Sequence, residues 1–162
     1  MHNKPLVGIV MGSISDNDIM DECVKTLKEM DINFEITVSS AHRSPDKTRD
    51  YAMNAPHRGI EVLIAGAGWA AHLAGVLASH TTLPVIGVPI DSSPLRGIDS
   101  LLSTAQMPPG VPVATMAIGK GGARNAAVFA AQILALKYSD IAIRLDQYKE
   151  NLTSQVKGLE KD

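Results

Sequence analysis

Leu6-Val7-Gly8-Ile9-Val10-Met11 is an unbroken apolar run that stops at the polar loop Gly12-Ser13-Ile14-Ser15-Asp16. A run of this kind suits a strand covered on both faces, as in a parallel sheet, whereas a half-exposed strand would alternate. Beyond the loop, Ile19, Met20, Cys23, Val24, Leu27 and Met30 recur at helical spacing and predict an amphipathic helix. Phe34-Glu35-Ile36-Thr37-Val38 then reads as a second strand, which completes a strand–helix–strand unit. The alternation continues along the chain. Residues 62–65, 85–88 and 113–118 read as further strands. Ser44-Pro45 supplies an N-cap with proline at the first helical position, so a helix is predicted from Pro45 towards Ala55. The Ala-rich stretches 70–79 and 123–137 read as helices on propensity. The pattern predicts an α/β fold, an open parallel sheet with helices on both sides.

The 162 residues are the size of one domain, and no linker, repeat or composition shift divides them, so residues 1–162 are expected to form a single unit. A chain this long buries roughly 70% of its unfolded surface and needs no staples. Residues 139–159 stand apart as a C-terminal helix, polar overall, with Ile141, Leu145, Tyr148, Leu152, Val156 and Leu159 at helical spacing. That stripe must be covered by the domain itself or by a neighbouring subunit. Lys plus Arg is 15 and Asp plus Glu 17, a net charge of -2, and no basic run attracts a nucleic acid or an anionic membrane. Six aromatics are too few for a base-stacking platform. No apolar run approaches the roughly 18 residues of a membrane helix, and no apolar signal segment precedes the first strand. A soluble, cytoplasmic protein is expected. The single Cys23 falls on the apolar helix face and reads as a buried, inert thiol.

In an open parallel sheet, ligands bind where loops leave the carboxyl ends of the strands. In the first such loop, Gly12 is expected to permit a sharp turn. Ser13, Ser15 and Asp16 can hold a phosphate and a ribose, although Ser and Asp also cap helices for stability alone. The loop lacks the lysine and spacing of a nucleoside-triphosphatase loop. In the second, Ser39-Ser40-Ala41-His42-Arg43-Ser44-Pro45, the Arg43 fork suits phosphate and His42 suits proton transfer near neutrality. In the third, Gly66, Gly68 and Ala71 match the dinucleotide pattern, with Asp91 falling 20 residues beyond Ala71. The same small residues would equally let a flat substrate approach the backbone, with His72 turned towards it. His57 and His80 read as structural or solvated, as does His2 near the terminus. The Gly119-Lys120-Gly121-Gly122 turn can bind an anion or serve as a flexible connection. No His, Cys or carboxylate cluster has metal-ligand spacing, so no metal is predicted.

As a set, the loops carry more information than any one of them. Met11-Gly12-Ser13 with Ser15-Asp16, Ser40-Ala41-His42-Arg43, Gly66-Ala67-Gly68 with Ala70-Ala71-His72-Leu73, and Pro84-Val85-Ile86-Gly87-Val88-Pro89 follow in order. Gly97-Ile98-Asp99-Ser100-Leu101, Gln106-Met107-Pro108 and Gly110-Val111-Pro112-Val113 complete the series. Over about residues 6–150 this resembles the 5-(carboxyamino)imidazole ribonucleotide mutases of purine biosynthesis, in their bacterial (class I) form.

The resemblance implies a three-layer, flavodoxin-like α/β/α sandwich assembled as a homo-octamer with sites between subunits. It implies carboxylate transfer from the exocyclic amine of an aminoimidazole ribonucleotide to a ring carbon, without ATP, metal or organic cofactor. The partner would be the small-molecule ribonucleotide, with no nucleic acid and no membrane. His42 would be the general acid/base, Arg43 would take the phosphate, and Asp16 the ribose hydroxyls. Ser13, Ser15 and Ser40 would contact the substrate, while Gly68, His72 and Leu73 would line the pocket for base and carboxylate. Direct carboxylation by carbon dioxide is the alternative chemistry. Two positions depart from the family: Trp69 stands where Gly is usual, and Ala74 where Pro is usual. The bulk of Trp69 predicts an indole turned away from the ligand, into apolar surface beside the loop or across a subunit contact.

Overall fold

The computed structural model describes residues 4–159, with side chains from residue 4 to 154. β1 (Val7–Met11), β2 (Phe34–Val38), β3 (Val62–Gly68), β4 (Val85–Ile90) and β5 (Ala114–Thr115) pair in parallel throughout, in the order β2-β1-β3-β4-β5. That is the flavodoxin-like doubly wound order, whose direction reverses between β1 and β3. β1 and β4 are buried along their full length, as continuous apolar runs require. β2, at the sheet edge, is only half-buried.

The pleat sends alternate side chains to two cores. Val7, Ile9, Met11, Val62 and Ile64 face α1 (Asn17–Glu29) and α5 (Lys120–Ala135). Val10, Leu63 and Ala65 face α2 (Pro45–Arg58) and α3 (Leu73–Ser79). α4 (Ile98–Ala105) lies on the α3 side, where Thr104 and Ala74 close over Gly87. Three layers result, as the resemblance implies. α6 (Ser139–Leu159) packs on α5, and its Ile141, Leu145 and Tyr148 are buried in the α1–α5 core. The first half of the terminal stripe is thus covered by its own chain, while Leu152 is 42% exposed. The side chains of Val156 and Leu159, and all of His2, lie outside the described residues.

Several boundaries differ from expectation, each for a local reason. The fifth strand shrinks from 113–118 to two residues. In a parallel strand the N–H and C=O of one residue point the same way; Pro89 accepts from the Gly119 N–H at 2.9 Å but has no N–H to return. The ladder to β5 fails there. α5 starts at Lys120 because Gly121 and Gly122 form its first turn, and a Cβ on Gly122 would overlap the Ala117 carbonyl. Lys120 Nζ pairs with Asp18 at 3.1 Å. Ser44 occupies the N-cap of α2, yet its hydroxyl donates backwards to the Ser40 carbonyl at 3.0 Å instead of capping the helix. Cys23 is fully buried, and burial pushes its thiol up to about 12, which leaves it protonated and inert.

Candidate active site

Strand register brings the loop roots to one level. Met11 stands opposite Val38 on β2 and Gly66 on β3. The ladders run one residue further, through Ser39 N–H to the Met11 carbonyl (2.8 Å) and Gly12 N–H to the Gly66 carbonyl (3.0 Å). Between them lies a cleft of about 580 Å³ lined by Ser13, Ser15, Asp16, Ser40, His42, Arg43, Gly68, His72 and Leu73. All nine residues singled out in the sequence meet in this one cleft. Ser92, from the loop after β4, also lines it and was not anticipated. Its signal was its place just past a fourth strand's carboxyl end, where converging loops should have included it.

The first loop is built around Asp16. A single 3-10 turn (Ile14–Asp16) follows β1, with Ser13 and Asp16 in a reciprocal capping box. Asp16 Oδ2 accepts from the Ser13 N–H at 2.9 Å, and Ser15 Oγ lies 2.9 Å from Ser13 Oγ. The stability and binding readings of these residues are therefore both available to the same atoms. Burial raises the Asp16 carboxyl above its ordinary value, opposed by the Ser13 N–H, the Arg43 charge and the Gly12 N–H. Gly12 does not need its conformational freedom, since a Cβ there would sit at an ordinary 3.5 Å from Asp16 and 3.6 Å from Ala67.

In the second loop, Ser40 Oγ accepts from the Arg43 backbone N–H (3.3 Å) and from Arg43 Nε (3.2 Å). Arg43 Nη2 lies 3.5 Å from the Gly12 carbonyl. The guanidinium is thereby held beside the first loop while remaining exposed, a posture suited to an anion. His42 Nε2 and His72 Nδ1 are 2.5 Å apart, with rings edge-to-face at centroids 4.7 Å apart. In such a contact one ring nitrogen donates and the other accepts, and the tautomers of the two imidazoles set which is which. His57 and His80 are exposed on the far ends of α2 and α3.

The third loop explains its glycines by close packing. A Cβ on Gly66 would meet Met20 Sδ at 2.5 Å; one on Gly68 would overlap Ser92 Oγ and stand 3.1 Å from the Ile90 carbonyl. No pyrophosphate is needed to account for them. Trp69 (φ 55°) and Ala71 (φ 36°) take left-handed backbone, so α3 starts at Leu73 rather than near Ala70. Ala71 N–H donates to the Gly68 carbonyl (3.0 Å), and Ser103 of α4 donates its hydroxyl to the Ala70 carbonyl. The indole is not turned into apolar surface of its own chain: Trp69 lines the cleft and is 60% exposed.

Residues 6–155 match the family described as AIR carboxylase. The chain belongs to the AIR carboxylase family. A Thermotoga maritima protein named N5-carboxyaminoimidazole ribonucleotide mutase is 55% identical over 152 residues, covering 94% of this chain and 88% of that one. A Bacillus subtilis protein of the same name is 55% identical over 153 residues, 94% of each chain. Among solved structures, Treponema denticola PurE superposes with a TM-score of 0.85 at 27% identity, over 94% of both chains. Among the described residues, no helix is long and apolar enough to cross a membrane.

Proposed function

We propose that this family member is an isomerase of purine biosynthesis, converting 5-(carboxyamino)imidazole ribonucleotide to the 4-carboxylated aminoimidazole ribonucleotide. The convergence of His42, Arg43, Asp16 and His72 from three loops on one cleft carries the reading. The names of its relatives support it, and none of these residues depends on a cofactor for the chemistry asked of it.

The steps balance without a co-reactant. His42 donates a proton to the carbamate nitrogen, the C–N bond breaks, and carbon dioxide is released into the cleft. The electron-rich ring carbon attacks that carbon dioxide and forms the new C–C bond. The imidazole then removes the ring proton, which restores both aromaticity and the starting protonation of His42. One imidazole serves both transfers. Arg43 neutralises the phosphate, Asp16 accepts from ribose hydroxyls, and Ser13, Ser15 and Ser40 complete the polar wall. Gly68, His72 and Leu73 bound the space for the ring and its carboxylate, where retention of carbon dioxide depends on excluding water. We further propose a cytoplasmic homo-octamer. The exposed apolar residues Leu95 (63%), Ile98 (53%) and Leu102 (52%) on and before α4 favour burial against another copy.

The test is isotope tracing. With the carbamate carbon labelled and unlabelled bicarbonate in excess, the product is expected to retain the label at a rate far above the spontaneous reaction. Label lost to bicarbonate would instead indicate carboxylation by free carbon dioxide, and no acceleration by folded protein would overturn the assignment.

A further inference from the structure

We propose that Trp69 is the ring-stacking residue of the cleft, its indole lying against the imidazole of the bound ribonucleotide and setting affinity for ligands that carry a flat heterocycle. This rests on the mutase reading of the same site. Among the residues lining the cleft, Trp69 supplies the one Trp, Tyr or Phe; the rest are carboxylate, guanidinium, imidazoles, hydroxyls and small apolar groups. Arg43 and Asp16 can grip the phosphate and ribose end of a ribonucleotide, while a flat heterocycle gains affinity from a π-face to lie on, and bases of every kind stack on aromatic rings.

The stability of its own chain does not explain the residue. At φ 55° a bulky side chain is strained, and glycine would be free of that strain. With the residue 60% exposed, little burial within its own chain offsets the strain. Strained backbone that stability does not repay is a mark of a functional position. The flanking backbone is fixed as well: Ala71 N–H closes on the Gly68 carbonyl, Ser103 holds the Ala70 carbonyl, and Gly68 is wedged against Ser92. An aromatic side chain with only two rotatable bonds, on an immobilised loop, meets a ligand with little ordering cost.

Trp69 is the chain's single tryptophan, so its emission reports this position alone. The probe is the carboxylated aminoimidazole ribonucleotide, with ribose 5-phosphate as the ring-free control, and affinities are taken from calorimetry. Emission is expected to change saturably with the ribonucleotide, at the calorimetric Kd, and not with ribose 5-phosphate. Trp69→Gly is expected to weaken ribonucleotide binding about 5- to 100-fold, the range of one base–aromatic stack. It should leave ribose 5-phosphate binding unchanged and Tm equal or higher, and Trp69→Phe should restore most of the affinity. Unchanged emission at saturation, or Trp69→Gly binding within twofold of the parent, would overturn the proposal. So would a fall in Tm or in oligomer size with ring binding intact, since the indole would then lie between copies of the chain. Failure of the parent protein to bind the ribonucleotide at all would overturn the mutase reading together with this one, a result distinct from parity between the parent and Trp69→Gly.

Discussion

Gly68→Ala is a sensitive test of how tightly the third loop must be held. The added Cβ would overlap Ser92 Oγ, with the Ile90 carbonyl at 3.1 Å and Ser92 Cβ at 3.2 Å. The overlap forces the Ser92 hydroxyl out of its observed rotamer, and the other two contacts remain tighter than ordinary van der Waals contact, so the loop must move by a few tenths of an ångström at least. Overpacking of this kind costs about 1–3 kcal/mol. The catalytic cost should be larger, because misplacement by about 1 Å can lower a rate by roughly 100-fold. Between these limits, Gly68→Ala is expected to reduce turnover roughly 10- to 100-fold while lowering Tm by roughly 2–12 °C. Ser92→Ala removes the Oγ overlap. The double variant should therefore recover part of the loss, with a coupling energy of about 1–2 kcal/mol in a double-mutant cycle. Turnover by initial rate and Tm by calorimetry on all four proteins decide the matter. Activity of Gly68→Ala within about twofold of the parent, or strict additivity with Ser92→Ala, would refute the reasoning.

His42→Asn should keep fold and ligand affinity but lower turnover by about 100-fold or more, as loss of an acid/base does; near-normal turnover would move the proton shuttle to His72. Arg43→Ala should weaken binding of the phosphorylated ligand by about 10- to 100-fold in calorimetric titration, with Lys a poor substitute because the fork also engages Ser40 and Gly12; unchanged affinity would remove the phosphate assignment. Asp16 has a folded-state pKa raised by burial above its ordinary 3.8, so its contribution to stability is present below that value and is lost as pH rises through the folded pKa. Asp16→Asn should therefore raise Tm at pH 7 while weakening ribonucleotide binding, and the Tm gain should shrink on acidification towards about pH 4; a gain that grows on acidification would contradict the burial assignment.

The sheet was legible because buried parallel strands write themselves as apolar runs, and β1, β3 and β4 are buried as those runs require. The site followed from a topological rule, that ligands gather at strand carboxyl ends, and the ordered motifs supplied the residues. What could not be read depends on packing between distant segments. α4 is hard to read because it is only eight residues long and buries polar Ser100 and Thr104 while Ile98 and Leu102 stay exposed, the reverse of the usual pattern. The early end of β5 depends on Pro89, a residue of another strand. Ser92 carries no motif of its own, and only its place past the carboxyl end of β4 marks it for the cleft, where it sits beside Gly68. The surroundings of Trp69 were not legible because its left-handed φ arises from the fold of the whole loop; in its own chain the residue lies exposed at the cleft and is not covered by apolar surface.

The His42–His72 contact shows why the sheet must be parallel and in this register. His42 follows β2 and His72 follows β3, the two strands that flank β1. Neighbouring strands are about 4.8 Å apart, so the two loops start roughly 10 Å from each other and must lean together over the end of β1. They can do so because Val38, Met11 and Gly66 lie on one transverse row, so both loops leave the sheet at the same height. Slippage of either outer strand by one residue would displace its loop by about 3.3 Å and reverse its faces. A nitrogen–nitrogen contact of 2.5 Å could not survive that, nor could the reach of Arg43 to the Gly12 carbonyl. The apolar patterning that fixes which face of each strand is buried therefore also fixes where the imidazoles meet. Core substitutions in β1 that loosen this register, such as Ile9→Ala, should consequently reduce turnover through the geometry of the pair, beyond what their loss of stability alone would predict.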